Sequence, residues 1–185
     1  SYSLIKLILG NPSMSRAFIK ELDDNLDNTD LPERPQSEHI NYMTVQGLER
    51  IKLQLNDLQH QYTKLKEQED KLSAKNQIKP LEAEVRYLQK RVQCAIPIDI
   101  NAQTSEDIRF GATVDLIDDE DVQYTFMIVG EDEADVERGL ISWVSPLARE
   151  LIGKRPGDSV LWQRPAGDKN LEILSFTYRY CESSV

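Results

Sequence analysis

The sequence predicts an α+β protein in which an antiparallel coiled-coil helical hairpin precedes an antiparallel β-sheet domain with one short helix. Two runs of apolar residues at heptad spacing predict two helices that pack together. A later change to short runs with alternating apolar and polar residues predicts strands joined by turns. The predicted organisation is a flexible leader over 1–43, the hairpin over 44–95 and the sheet domain over 96–185.

The leader is predicted from residues 20–41, which combine acidic residues, asparagines and two prolines with few large apolar groups. Such a segment cannot bury enough surface to offset the entropy lost on ordering. Thr44 follows it and has the character of a helix N-cap. We therefore expect the folded part to begin at Thr44.

Charge is distributed unevenly along the chain, whose net charge is −10. The predicted hairpin has ten Lys and Arg against seven Asp and Glu, whereas residues 96–185 have eight against eighteen. The acidic total argues against a dedicated duplex-DNA site, because affinity for phosphates depends on basic residues. A basic arm on an acidic body suits insertion into acidic or RNA-containing surroundings. Lysines that only keep a coiled coil soluble are the alternative.

Cysteines, histidines and hydropathy limit the class of protein. Cys94 and Cys181 lack the spacing of metal ligands, and only two histidines are present. We therefore expect two reduced thiols in a cytoplasmic protein and no zinc site. No apolar run approaches the roughly 20 residues that a membrane span needs, so no membrane partner is expected.

Two apolar seams predict the helices, separated by a break in the pattern. The first follows Thr44 and the second ends at Ala95; a short connection between them makes the helices antiparallel neighbours. A hairpin that closes on itself predicts a monomer. The seams are Leu48, Ile51, Leu55, Leu58, Tyr62, Leu65 and Leu72, then Leu81, Val85, Leu88, Val92 and Ala95.

The position of the bend has two solutions. Pairing the seams places it within 67–76, with Pro80 in the first turn of the second helix. Because proline favours the first position of a helix, the other solution places the bend at 75–79. We favour the first solution.

The sheet domain is read from alternating patterns and turn signals. Residues 110–117 and 122–129 form a predicted β-hairpin around an acidic turn at 118–121. Residues 139–144 predict another strand, and a short helix follows, opened by Ser145 and Pro146 and closed by Gly153. Two more strands, 159–164 and 171–180, flank a turn at 165–168.

Four motifs in this domain resemble the C-terminal domain of the bacterial GreA/GreB transcription elongation factors. They are FGATV (110–114), IVGEDEAD (128–135), ISWVSPLARELIGKRPGD (141–158) and PAGD (165–168). The resemblance implies an FKBP-like sheet domain that docks at the rim of the secondary channel of RNA polymerase core. It also implies that the hairpin enters that channel.

In that family, the loop before the short helix meets the polymerase. The corresponding residues here are Trp143, Val144, Ser145 and Pro146. An exposed apolar loop suits a protein contact. The alternative is that Ser145 and Pro146 only begin the helix.

Family members that stimulate transcript cleavage carry two acidic residues at the hairpin tip, which hold a second Mg²⁺ in the polymerase's own catalytic centre. The candidates here are Glu67, Glu69 and Asp70. The family's tip signature is absent, and the hairpin of about 52 residues is shorter by around a heptad, or roughly 10 Å, per helix. Acids among lysines at a bend usually form a solvated face. We expect no catalytic residue, metal or cofactor in the isolated protein, only Mg²⁺ shared with the polymerase.

The resemblance therefore implies an elongation regulator with weak or no cleavage stimulation. A true cleavage factor is the alternative, with a prolyl isomerase or a coiled-coil interaction module as distant ones. Basic residues of the arm are candidates for contacts with the channel walls or the nascent RNA 3′ end, although solvent is the simpler environment for them. These are Arg50, Lys52, Arg86, Lys90 and Arg91.

Overall fold

A computed structural model describes residues 34–67 and 71–179, except for the side chains of 71–76. The elements in chain order are strand β1 (Tyr42–Thr44), helices α1 (Val45–Glu67) and α2 (Lys71–Gln93), and strands β2 (Ile96–Ile98), β3 (Thr113–Asp118), β4 (Gln123–Val129) and β5 (Leu140–Ser142), then helix α3 (Pro146–Leu151) and strands β6 (Ser159–Trp162) and β7 (Lys169–Thr177). This is the predicted α+β class. No helix in the described ranges has the length and apolar character to cross a bilayer.

Helix α1 begins directly after the predicted cap, and the end of α1 and the start of α2 both lie within the predicted range 67–76. Thr44 caps α1, because its hydroxyl accepts a hydrogen bond from the N–H of Gly47 at 2.9 Å. The helices are separated by residues 68–70, which lie outside the described part of the chain.

The sequence predicted Pro80 in the first turn of α2, and this is wrong. Pro80 lies well inside the helix. Proline lacks an N–H and costs about 3 kcal/mol in a helix interior. The helix nevertheless continues through it, and residues 81–85 are half-buried on the far side. Packing over these residues offsets the local cost.

The helices pack through the predicted seams. Met43, Ile51 and Leu88 are buried at the root of the pair. Farther out, the Tyr62 hydroxyl donates to Glu82 Oε1 at 3.3 Å. The cluster is completed by half-buried Leu48, Leu55, Leu58, Tyr87, Val92 and Ala95. The packing agrees with the heptad pattern, while the supercoiled geometry of a coiled coil stays a prediction.

The sheet domain is mixed, and the prediction of an antiparallel sheet was wrong in this respect. Its strand order is β5-β4-β3-β7-β6. Strand β5 runs parallel to β4, with Met127 opposite Leu140, and residues 130–139 connect the two strands. A separate pair, β1 and β2, is also parallel, with α1 and α2 as its connection.

One core lies between the sheet and α3. Leu147, Ala148 and Leu151 are the buried residues of the helix, and alternate residues of the strands face them. The strand residues of this core are Val114, Leu116, Phe126, Ile128, Ile141, Val160, Leu171 and Ile173. The core holds α3, and therefore the loop before it, in one place on the sheet.

The boundary of the folded part differs from the predicted one. Asn41 and Met43 belong to the predicted leader, yet both are buried. The backbone N–H of Ile96 donates to the carbonyl of Asn41 at 2.8 Å, which ties this segment to β2. The rest of the predicted leader up to residue 33 lies outside the described residues.

The turn between β3 and β4 is organised by the carboxylate of Asp118. It accepts hydrogen bonds from the N–H groups of Glu120 and Val122, both at 2.9 Å, from the Tyr124 hydroxyl at 3.0 Å and from the Lys169 ammonium. The hydrogen bond from Lys169 is the main reason why the pKa of Asp118 lies well below its usual value; burial opposes it. The same contact raises the pKa of Lys169.

This pair makes stability depend on pH in a defined direction. A lowered carboxyl pKa stabilises the fold above the unfolded value of about 4, and a raised ammonium pKa does so below about 10.4. We expect the thermal midpoint of Asp118→Asn to lie below that of the parent at pH 7. The difference should shrink as the pH falls below about 4. Asp119→Asn, in the same turn but exposed, is the control. If the thermal midpoints of the parent and of Asp118→Asn differed by the same amount from pH 7 to 2, the role assigned to the Asp118 carboxylate would be wrong.

Candidate functional site

The loop of Trp143, Val144, Ser145 and Pro146, here called the docking loop, joins β5 to α3. Ser145 is the N-cap of α3, and its hydroxyl accepts a hydrogen bond from the N–H of Ala148 at 3.3 Å. Pro146 is the first residue of the helix and is exposed. The N–H of Trp143 donates to the carbonyl of Val129 at 2.9 Å. The sequence thus predicted the cap correctly, and the loop is fixed at both ends.

Trp143 is less exposed than the sequence suggested. Its ring is half-buried and meets Tyr42 edge to face, with ring centroids 5.3 Å apart. The ring of His39 also meets the Trp143 ring edge to face, with centroids 6.1 Å apart. Tyr42 packs in addition against Phe110, with ring centroids 5.9 Å apart. Pro146 is therefore the exposed apolar residue of the docking loop, and Val144 beside it is half-buried.

The far end of α1 carries one of the three acidic tip candidates. Glu67 is the last residue of the helix and is exposed, with Lys64 and Lys66 in the same turn. Glu69 and Asp70 lie outside the described residues. Within 34–67 and 71–179, no group of three or more His, Cys, Asp or Glu could hold a metal ion.

Four of the five basic candidates lie on exposed positions of the helices. Arg50 and Lys52 are on α1, and Lys52 pairs with Glu49 at 2.9 Å. Arg86 and Lys90 are on α2 and line a shallow surface pocket beside Tyr87. The structure leaves them accessible to a partner.

Arg34 adds a third cation to that pocket. Its guanidinium stacks on the ring of Tyr87 at 4.1 Å and lies 3.8 Å from the carboxylate of Glu84. Residues ahead of β1 therefore extend the basic surface of α2, which the sequence pattern did not predict.

Arg91 was predicted as a channel- or RNA-facing candidate, and this is wrong. Its side chain is only 2% exposed. Its Nε donates to Asp132 Oδ2 and its Nη2 donates to Asn41 Oδ1, both at 2.5 Å, and Glu131 lies 3.9 Å away. The physical reason is that this position of α2 faces the 3₁₀ turn Glu131–Glu133, here called the acidic turn, instead of solvent.

Two further contacts join α2 to its surroundings at this point. The Asn41 side chain donates from Nδ2 to the carbonyl of Arg91 at 2.8 Å. The Tyr87 hydroxyl donates to Asp132 Oδ1 at 3.1 Å. Burial, followed by the charge of Asp132, raises the pKa of Tyr87, so the hydroxyl keeps its proton at neutral pH.

Helix α1 is held by the same acidic turn. Buried Glu133 accepts hydrogen bonds from the N–H of Thr44 at 2.9 Å, from the Thr44 hydroxyl at 2.5 Å and from the N–H of Gly130 at 3.0 Å. A Cβ on Gly47 would lie 1.9 Å from Glu133 Oε1, so glycine is required there for the carboxylate to approach the helix. We call the set Asn41, Thr44, Tyr87, Arg91 and the acidic turn the root joint.

Sequence reasoning missed the root joint. The motif IVGEDEAD contributes to the family resemblance, but the sequence pattern alone assigns no role to its acidic residues. A cluster of three acids just after an apolar strand, with no Lys or Arg within four residues of it, was the available signal. Asn41 gave no signal, because it lay within a segment whose composition resembles a disordered one.

Comparisons with known proteins agree with the motifs. The family model described as "Transcription elongation factor, GreA/GreB, C-term" matches residues 103–178. The chain is 40% identical over 151 residues to transcription elongation factor GreA of Jannaschia sp. (strain CCS1), covering 74% of this chain and 96% of that protein. It is 41% identical over 110 residues to transcription elongation factor GreB of Neisseria meningitidis serogroup B (strain ATCC BAA-335 / MC58), covering 59% and 68%.

Solved structures with similarity to the chain include transcription factor Gfh1, at 23% identity and a TM-score of 0.37, covering 75% of this chain and 97% of that one. The GreA/GreB factor from Nitrosomonas europaea has 17% identity and a TM-score of 0.37, covering 75% and 99%.

Proposed function

Because this chain belongs to the GreA/GreB family of transcription elongation factors, we propose that it binds RNA polymerase core through the docking loop. In this proposal α1 and α2 form a coiled-coil hairpin that enters the secondary channel, and the sheet domain is an FKBP-like anchor. The protein acts as a cytoplasmic monomer. It regulates elongation with weak or no stimulation of transcript cleavage.

The observation that carries the proposal is the joining of a fixed docking loop to two long helices by one compact joint. Each helix has 23 residues, which corresponds to a length of about 35 Å. A binding surface beside the root of a long, narrow element suits a protein that docks outside a channel and inserts that element into it.

The surface of the helices is also compatible with insertion into a channel. Beyond the root, the apolar seam is only half-buried, and the exposed faces carry polar and charged side chains together with the exposed Leu53. Exposed Lys52 and Arg86 can face acidic channel walls or the phosphates of the nascent RNA 3′ end. In contrast, nothing in this arrangement favours duplex DNA, since the chain is acidic overall.

Weak cleavage stimulation follows from the tip. A carboxylate that recruits Mg²⁺ must reach the catalytic centre with near-octahedral geometry. Glu67 shares its turn with Lys64 and Lys66, which compensate its charge. Helices a heptad shorter than usual would leave the tip roughly 10 Å from the position where it could act.

The test is a transcript assay on stalled, backtracked elongation complexes. We expect the protein to change the duration of pauses while releasing short 3′ RNA fragments at most a few-fold faster than polymerase alone. Alanine variants of Glu67, Glu69 and Asp70 should behave like the parent.

A cleavage factor is the second candidate function, favoured by the exposed carboxylate of Glu67 at the end of α1. It requires release of 3′ fragments that is accelerated by the parent and abolished by the alanine variants. That result would replace the regulator proposal, and an absence of any effect on transcription would overturn both.

A further inference from the structure

We propose that Asn41, Arg91 and Asp132 are positioning residues that set the direction of the helices relative to the docking loop. This inference rests on the proposed function, since direction matters only if the helices must enter a channel. It assigns a positioning role to the buried ion pair of Arg91 and Asp132, which takes no part in the proposed contact of the docking loop or in the chemistry of the hairpin tip.

Because the helices are long, a small error in their direction at the root moves their far end by a large distance. A tilt of about 10° at the root of a 35 Å lever displaces its far end by about 6 Å. A displacement of that size would exchange the residues that the far end meets on a channel wall, because side-chain contacts extend only over about 4–4.5 Å. The root must therefore hold the helices to within a few degrees.

One rigid turn holds both helices. Asp132 binds Arg91 and Tyr87 of α2, while the next residue, Glu133, binds Thr44 at the start of α1. The turn follows directly after β4, which lies between β3 and β5 in the sheet. Two helices fixed by neighbouring residues of one turn cannot rotate independently of the sheet.

A second connection runs from the docking loop to the root through two successive residues. Tyr42 packs against Trp143, and Asn41 exchanges hydrogen bonds with Arg91. A Cβ on Gly130 would lie 2.3 Å from the carbonyl of Tyr42, so this backbone also lies directly on the sheet domain. The docking loop and the helix root are thus linked by a short, packed path.

A buried ion pair is better suited to fixing the orientation of a helix than to stabilising the fold. An ion pair in the interior is often no more stabilising than apolar residues of similar size, but it fixes geometry through directional hydrogen bonds. The planar guanidinium of Arg91 uses different nitrogens for Asp132 and Asn41, which defines both distance and orientation.

The first test measures direction in the isolated, full chain. Bio-orthogonal spin labels at position 60 on α1 and position 119 on the sheet domain report a distance distribution by electron–electron resonance. We expect a single narrow distance distribution in the parent and in the control Arg138→Met, which changes an exposed residue. In Arg91→Met and in Asn41→Ala we expect the distribution to be at least twofold broader. Asn41→Ala removes hydrogen bonds without leaving a charge unpaired, so it serves if Arg91→Met does not fold.

The second test uses polymerase. We expect the Kd of Asn41→Ala for core polymerase to stay within about threefold of the parent, while its effect on pausing falls at least tenfold. A purely structural role predicts a lower thermal midpoint with an unchanged distance distribution and an unchanged effect on pausing, and that result would overturn the inference. If the parent ignores polymerase, the proposed function fails, and the distance measurement still decides whether the root joint sets direction.

Discussion

Asp132→Ala is expected to lower the free energy of unfolding by about 3–5 kcal/mol, the range measured when one partner of a buried ion pair is removed. The substitution leaves the Arg91 guanidinium, 2% exposed, with Glu131 as its nearest carboxylate at 3.9 Å. It also removes the acceptor of the Tyr87 hydroxyl. Urea unfolding followed by circular dichroism measures the change.

Its control is Glu137→Ala, an exposed acidic residue close in sequence, which should change the free energy of unfolding by less than about 0.5 kcal/mol. The pair Arg91→Met with Asp132→Leu should recover at least half of the loss, because matched apolar residues often replace a buried ion pair without cost. A loss below about 1 kcal/mol for Asp132→Ala would mean that Arg91 is not held as described.

Val144→Asp combined with Pro146→Ala is expected to weaken binding to core polymerase at least 30-fold, equivalent to about 2 kcal/mol. Pro146 is exposed and Val144 is half-buried in the docking loop, and a carboxylate buried in an interface without a partner is costly. Trp143 is left intact, because it packs on Tyr42 and its loss would disturb the fold. Fluorescence anisotropy of labelled protein with core polymerase measures the Kd.

A matched control comes from the opposite face of the sheet. Leu161 is 42% exposed on the edge strand β6, and its neighbour Val160 faces the core on α3. Leu161→Asp introduces the same charge away from the docking loop and should leave the Kd within about twofold. Equal losses in the two proteins would show that the effect is general charge repulsion, not a docking contact.

Local patterns were sufficient to predict much of this fold. The seam from Leu48 to Leu65 predicted α1, and the hydroxyl of Thr44 predicted its start, because capping depends on residues that are neighbours in sequence. Ser145 and Pro146 predicted the start of α3 for the same reason. Alternation from Thr113 to Val129 predicted β3 and β4, which a tight turn makes antiparallel.

Features that depend on distant elements were not predictable in this way. Arg91 has the sequence surroundings of a solvent-facing residue, and only the arrival of Asp132 from the sheet domain makes it a buried one. The parallel direction of β5 depends on the route of residues 130–139, which alternation cannot encode. Likewise, Asn41 is ordered by contacts with Arg91 and Ile96, not by its own segment.

The most direct measurement is a site-specific cross-link from the helix end in a stalled elongation complex. A photoreactive residue at position 67, on a chain with an intact docking loop, should react with the interior of the polymerase secondary channel. The same label on the Val144→Asp/Pro146→Ala protein should give at most a tenth of that yield. Cross-links confined to the outer polymerase surface, or none at saturating polymerase, would contradict insertion of the helices.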